Sequence, residues 1–229
     1  MSAAVYLIPG GHPPNFKQMT EDLGTALAAC GKPHPAIAYV GTASGDNPLF
    51  FRLMKKQLTN AGAGAVTLAP LAGWRANPDA AKKILSEADG VFLSGGEVED
   101  GIVALKKAGI DGLLTEMYHG GKPFFGVSAG CIMMGAHWVH WDAENDDSTA
   151  SLFDCLHFVP LTFDTHCENE GWKELKCALR LMGDGAAGYG LSTGGFYTAD
   201  GEGHLTSARN TPAVFHNSGG KIDAVAWHG

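Results

Sequence analysis

Gly126-Val127-Ser128-Ala129-Gly130 decides how the rest of this chain is read. The apolar run Lys122-Pro123-Phe124-Phe125 leads into it, and Cys131-Ile132-Met133-Met134-Gly135 leads out. The first reads as a short strand entered through Pro123 and the second as the start of a helix. A serine between glycines at a strand-to-helix turn holds its hydroxyl above the end of a sheet. The turn pushes the apex residue toward strained dihedrals, and its neighbours must lack bulk for the chain to close. The N–H of the following residue, Ala129, then points to where an oxyanion would form. The same five residues also suit an ordinary Gly-rich turn with a serine N-cap, so the surrounding elements have to decide.

Outward from that turn the chain alternates. Ala4 to Ile8 reads as a strand, followed by the loop Pro9 to Pro14, and Phe16, Met19, Leu23 and Leu27 recur at helical spacing. Ala36 to Val40 is a second strand, and Phe50, Leu53, Met54 and Leu58 lie on one face of a second helix. Ala65 to Leu68 and Gly90 to Leu93 are further strands, with a short helix at Pro78 to Glu87 between them. Ile102 to Tyr118 is helical with a break at Gly109. Strands and helices of this length predict an α/β fold, a mainly parallel sheet covered on both faces as an αβα sandwich, in one domain over 1–229. Chemistry in such sheets sits at the carboxyl ends of the strands, where the loops 9–14, 41–46, 94–97 and 126–130 emerge. The last third differs: short strands separated by Gly, Asp and Asn, from Tyr189 to Trp227, read as an antiparallel meander.

Composition narrows the classes. The 229 residues are 45% hydrophobic and 17% charged, which is a globular balance. The net charge is −8 and no Lys/Arg run occurs, so nucleic acid and anionic membrane are poor partners. The N-terminal residues carry neither a basic start nor a long apolar stretch before Pro9. Five cysteines without a C-x-x-C point to a reducing, cytoplasmic setting. Cys155, His157, His166, Cys167 and Cys177 match no zinc spacing, and no G-x-G-x-x-G follows a strand. Neither a metal nor another cofactor is therefore expected, and a homodimer stays open.

A serine nucleophile needs a base, and the base an orienting acid. His166 is the candidate base, in the polar turn Asp164-Thr165-His166-Cys167-Glu168 that follows the apolar run Leu156 to Phe163. His157, inside that run, reads as a core residue. Asp142, Glu144, Asp146, Asp147, Asp154 and Asp164 all lie between the serine and that histidine. Gly95 or Gly96 offers a second oxyanion donor beside Ala129. Gly11, Ser44, Gly95 and Glu97, on the loops at the strand ends, are expected to meet substrate.

The chain resembles the peptidase E and cyanophycinase family of serine peptidases, which share the flavodoxin-like fold of class I glutamine amidotransferases. The stretches that carry the resemblance are Ala38-Tyr39-Val40-Gly41-Thr42-Ala43-Ser44-Gly45, Val91-Phe92-Leu93-Ser94-Gly95-Gly96, the Ser128 turn, Val159-Pro160 with Asp164-Thr165-His166, and Gly188-Tyr189-Gly190-Leu191. It implies a serine exopeptidase or small amide hydrolase acting on a dipeptide or short, aspartyl peptide. Its catalytic set would be Ser128, His166 and Asp142, with Glu144 in reserve for the acid and with Ala129 and Gly96 as oxyanion donors. Two departures stand out: Glu97-Val98-Glu99-Asp100 follows the Gly-Gly, and Glu168 and Glu170 replace basic residues after the histidine. An aspartyl substrate would want a cation, for which Arg52, Lys55, Arg75 and Arg180 are candidates. The alternative is a non-catalytic, amidotransferase-like domain that holds a small ligand. A class I amidotransferase proper would carry Cys at the elbow.

Overall fold

The computed structural model describes residues 4–10, 16–143 and 146–228. Five parallel strands form its middle: β1 (Val5–Ile8), β2 (Ala36–Val40), β3 (Ala65–Ala69), β4 (Gly90–Leu93) and β5 (Phe124–Val127). Their side chains alternate between two cores. Tyr39, Phe92 and Phe125 pack on one face with Leu23, Leu27, Met54 and Leu58. Those four belong to α1 (Phe16–Ala28) and α2 (Pro48–Asn60). Val40, Leu93 and Phe124 point the other way, against Leu85, Ile102, Leu114 and Met133. These come from α3 (Pro78–Glu87), α4 (Val98–Ala108), α5 (Asp111–His119) and α6 (Ala129–Met134). Both faces of the sheet are covered, which is why β4 and β5 are buried along their whole length.

Local chemistry sets the helix ends. Asn47 accepts from the N–H groups of Leu49 and Phe50, and Asn77 from that of Ala80; each is followed by Pro at the first helical position. The break expected at Gly109 is a helix end: this glycine is left-handed, at φ 64°, and α5 starts two residues later.

The C-terminal third departs from a single meander. After the hairpin β6 (His137–Trp141) and β7 (Ala150–Asp154) comes β8 (Phe163–Thr165), then α7 (Lys173–Met182) and β9 (Ala187–Leu191). Next come β10 (Phe196–Ala199), β11 (Leu205–Arg209), β12 (Ala213–Ser218) and β13 (Lys221–Val225). β10 and β11 extend the main sheet antiparallel to β1, in the order β11-β10-β1-β5-β4-β2-β3. The others form a second sheet, β13-β12-β9-β8, in which β8 and β9 run parallel. The crossover helix α7 explains the split: Leu175 and Leu179 pack with Trp172 and Phe215 under this second sheet. The apolar run before the histidine is also mostly not strand. Only its last residue joins β8, since Pro160 cannot donate to a ladder.

Candidate active site

Ser128 sits between β5 and α6 at φ 52° and ψ −120°. This is a strained conformation for a residue with a Cβ, costing on the order of 1–3 kcal/mol. Its backbone is pinned on both sides: its N–H donates to the carbonyl of Ile8 at 3.0 Å, and its carbonyl accepts from the N–H of Cys131 at 2.7 Å. The flanking glycines are required by contact. A Cβ on Gly126 would meet the Gly130 carbonyl carbon at 2.6 Å, and one on Gly130 the Leu93 carbonyl oxygen at 2.3 Å. The turn therefore closes only if both neighbours lack side chains.

His166 lies one residue past β8 and is itself left-handed, at φ 49°; its N–H donates to the carbonyl of Leu191. Its Nε2 is 2.7 Å from Ser128 Oγ, within hydrogen-bonding distance. Two segments 38 residues apart, one from each sheet, thus converge on one bond. As the first residue of α6, Ala129 has an N–H with no intrahelical acceptor. Gly95 packs against Ser128, so that an added Cβ would stand 3.3 Å from the serine Cβ. Gly96 takes φ 140°, and a Cβ there would lie 1.9 Å from the Ala43 carbonyl oxygen, so only glycine fits.

These groups open on a cleft of about 550 Å³ whose lining includes Ser44, Gly95, Gly96, Ser128 and His166. Glu97 turns away and, with Glu99, Trp138 and Asp142, lines a separate depression. Gly11 and Glu144 lie outside the described residues.

The structure gives Asp142 a partner other than His166. Its carboxylate, 82% exposed, accepts from His140 Nε2 at 3.3 Å, while His140 Nδ1 meets Glu99 at 2.6 Å. The hydrogen bonds that His140 donates to Glu99 and Asp142 raise its pKa. Asp142 leaves β6 in the hairpin, and that hairpin carries it to His140. Asp164, two residues before the histidine, is 1% exposed, and its carboxylate accepts from the N–H of Thr165. Burial, reinforced by nearby Glu174, pushes it up to about 7. Glu168 lies two residues past His166. Burial raises its pKa, but hydrogen bonds from its own N–H and from Thr193, with the histidine's charge, outweigh that and hold it below the usual range. Glu168 stood in the sequence as a departure from a resemblance; its one local signal was its place two residues past His166.

His157 and Cys167 belong to different side-chain clusters. His157 is not core: it is half-exposed at φ 53° and clusters with His137 and Asp154. Cys167 lies by Asp164 and Glu174. Cys131 is fully buried, and desolvation pushes its thiol far up. Among the described residues no helix is long and apolar enough to cross a membrane.

The model of peptidase family S51 matches residues 6–202. A search of the curated proteins finds no match. Among solved structures, the chain is similar to a peptidase from an acI-B1 actinobacterium, at 15% identity and TM-score 0.69, covering 98% of each chain. It is also similar to a putative peptidase E protein from Listeria monocytogenes EGD-e, at 17% identity and TM-score 0.64, covering 92% of this chain and all of that one.

Proposed function

The chain belongs to peptidase family S51, and from that premise we propose that it hydrolyses a short peptide or small amide through a Ser128–His166 pair. The observation that carries this reading is the 2.7 Å approach of Ser128 Oγ to His166 Nε2 at a strained strand-to-helix turn. Ser128 Oγ attacks the carbonyl carbon while His166 takes its proton. The tetrahedral oxygen is held by the N–H groups of Ala129 and Gly96. The C–N bond then breaks, the leaving amine takes the proton from His166, and water repeats the sequence in reverse to release the acid. For the acid that orients the imidazole we propose Glu168, two residues past His166 and with its carboxylate held by the Thr193 N–H, since Asp142 is engaged by His140.

A hydrolysis profile over dipeptides and isoaspartyl peptides tests the reaction, run beside Ser128→Ala, Glu168→Gln and Asp142→Asn. Turnover should vanish in Ser128→Ala and fall roughly 10²–10⁴-fold in Glu168→Gln, since an amide favours the wrong histidine tautomer. Asp142→Asn should retain it within about twofold, given its exposed position. Turnover that survives Ser128→Ala would remove the reading. A large loss in Asp142→Asn with none in Glu168→Gln would return the orienting role to Asp142.

A further inference from the structure

We infer that the cleft selects an apolar side chain, and not a carboxylate, on the residue whose carbonyl Ser128 attacks. The inference rests on the serine-hydrolase reading and adds the substrate class. Its walls are Phe16 and Met19 of α1, Phe50, Leu53 and Met54 of α2, and Val127 beside the serine. Phe16 and Leu53 are each 40% exposed, forming an apolar rim in water next to a reactive hydroxyl. Single exposed apolar residues are ordinary, but a concave group of them around a nucleophile is a binding surface. A cleft of about 550 Å³ has room for a large aliphatic or aromatic side chain together with the peptide unit beside it. Val127 adjoins the nucleophile in sequence, so a side chain one bond from the attacked carbonyl falls on this wall.

The charge distribution argues the same way. Among the described residues, His166 is the one ionisable group that lines the cleft. The cations that an acidic substrate would need are elsewhere. Arg75 stacks on Trp74, Arg180 pairs with Asp147, and Lys55 lies over Phe51. Lys17, next to Phe16, is 87% exposed and faces Glu21. Arg52 is exposed and adjoins Leu53 in sequence, but helical geometry turns it off the Phe50–Leu53–Met54 face. Residues 11–15, Gly-His-Pro-Pro-Asn, contain no Lys or Arg. A substrate carboxylate placed here would lose its water and gain no cation, whereas an aliphatic side chain would gain the burial.

The test uses α-aminoboronic acids, which bond reversibly to a reactive serine and need no knowledge of the leaving group. Dissociation constants are measured by calorimetry for the leucine, methionine, aspartate and lysine analogues, on the wild type, Ser128→Ala and Leu53→Arg. The leucine and methionine analogues should bind roughly 10–100-fold more tightly than the aspartate analogue, the range that burial of one apolar side chain spans. Leu53→Arg, a change at a half-exposed position that the fold tolerates, should narrow or invert that ratio. Equal binding, or tighter binding of aspartate to the wild type, overturns the inference while leaving the serine chemistry standing. Binding that is unchanged in Ser128→Ala, or absent for every analogue, overturns the serine reading and the inference with it.

Discussion

Asp164 carries a measurable pH signature. Its carboxyl, on β8 two residues before His166, is buried, and burial followed by the charge of Glu174 raises it from 3.8 to about 7. One oxygen accepts from the N–H of Thr165; the other, and one oxygen of Glu174, have no hydrogen-bond partner among the described residues. Because the folded pKa is the higher one, the native state binds more protons than the unfolded chain between about pH 4 and pH 7. Stability attached to this group is therefore full below pH 4 and is lost as pH rises toward 7. A shift of about three units at 1.36 kcal/mol per unit sets a ceiling of about 4 kcal/mol for that loss. Asp164→Asn keeps the acceptor for Thr165, cannot ionise, and turns an amide donor toward Glu174. At pH 8 we expect the variant to be more stable than the wild type by at least about 1 kcal/mol, or roughly 2–4 °C in Tm for a chain of this size. At pH 4 the two should differ little. Urea unfolding followed by circular dichroism at pH 4, 6 and 8 reads the difference directly. A variant destabilised equally at all three values would refute the argument, since it would show that Asp164 is ionised and satisfied in the fold.

Two further outcomes follow from the geometry. Ser128→Gly should be inactive yet more stable than Ser128→Ala by about 1 kcal/mol in chemical unfolding, because only glycine relaxes at φ 52°. Arg209 pairs with Asp22, which is nearly buried, and its Nε donates to Gly194, which in turn donates to the carbonyl of Gly10. Arg209→Met leaves a carboxylate without its cation, so stability should fall by roughly 2–4 kcal/mol at pH 8 and by less at pH 5, where Asp22 can take up a proton. Denaturation at the two pH values checks it; an equal loss at both would show that the charge is not the cause.

The parts of this molecule that were legible in the sequence are those with local causes. The parallel core follows from apolar runs of strand length and from Asn-Pro and Gly punctuation at helix ends. The serine turn follows from two glycines whose absent side chains make room for Gly130 and Leu93. His166 was visible because a histidine just past β8 lies where the strand-end loops gather. What stayed hidden depends on tertiary placement. Asp142 has the right order and spacing, but the hairpin takes it to His140. Glu168 looked like a surface charge until Thr193, 25 residues on, fixed its carboxylate. The C-terminal strands alternate alike, so nothing in them announces that α7 divides them between two sheets. The ion pair of Asp22 with Arg209 spans 187 residues, beyond the reach of any motif.

The account rests on Ser128 being a nucleophile activated by His166. Intact-mass and peptide mapping after treatment with an alkyl fluorophosphonate tests this most directly, on wild type and His166→Asn. The account predicts one phosphonyl group per chain, mapped to Ser128, forming at least about 10²-fold more slowly without the histidine. No adduct at Ser128 in folded protein, under conditions that label a control serine hydrolase, would contradict it.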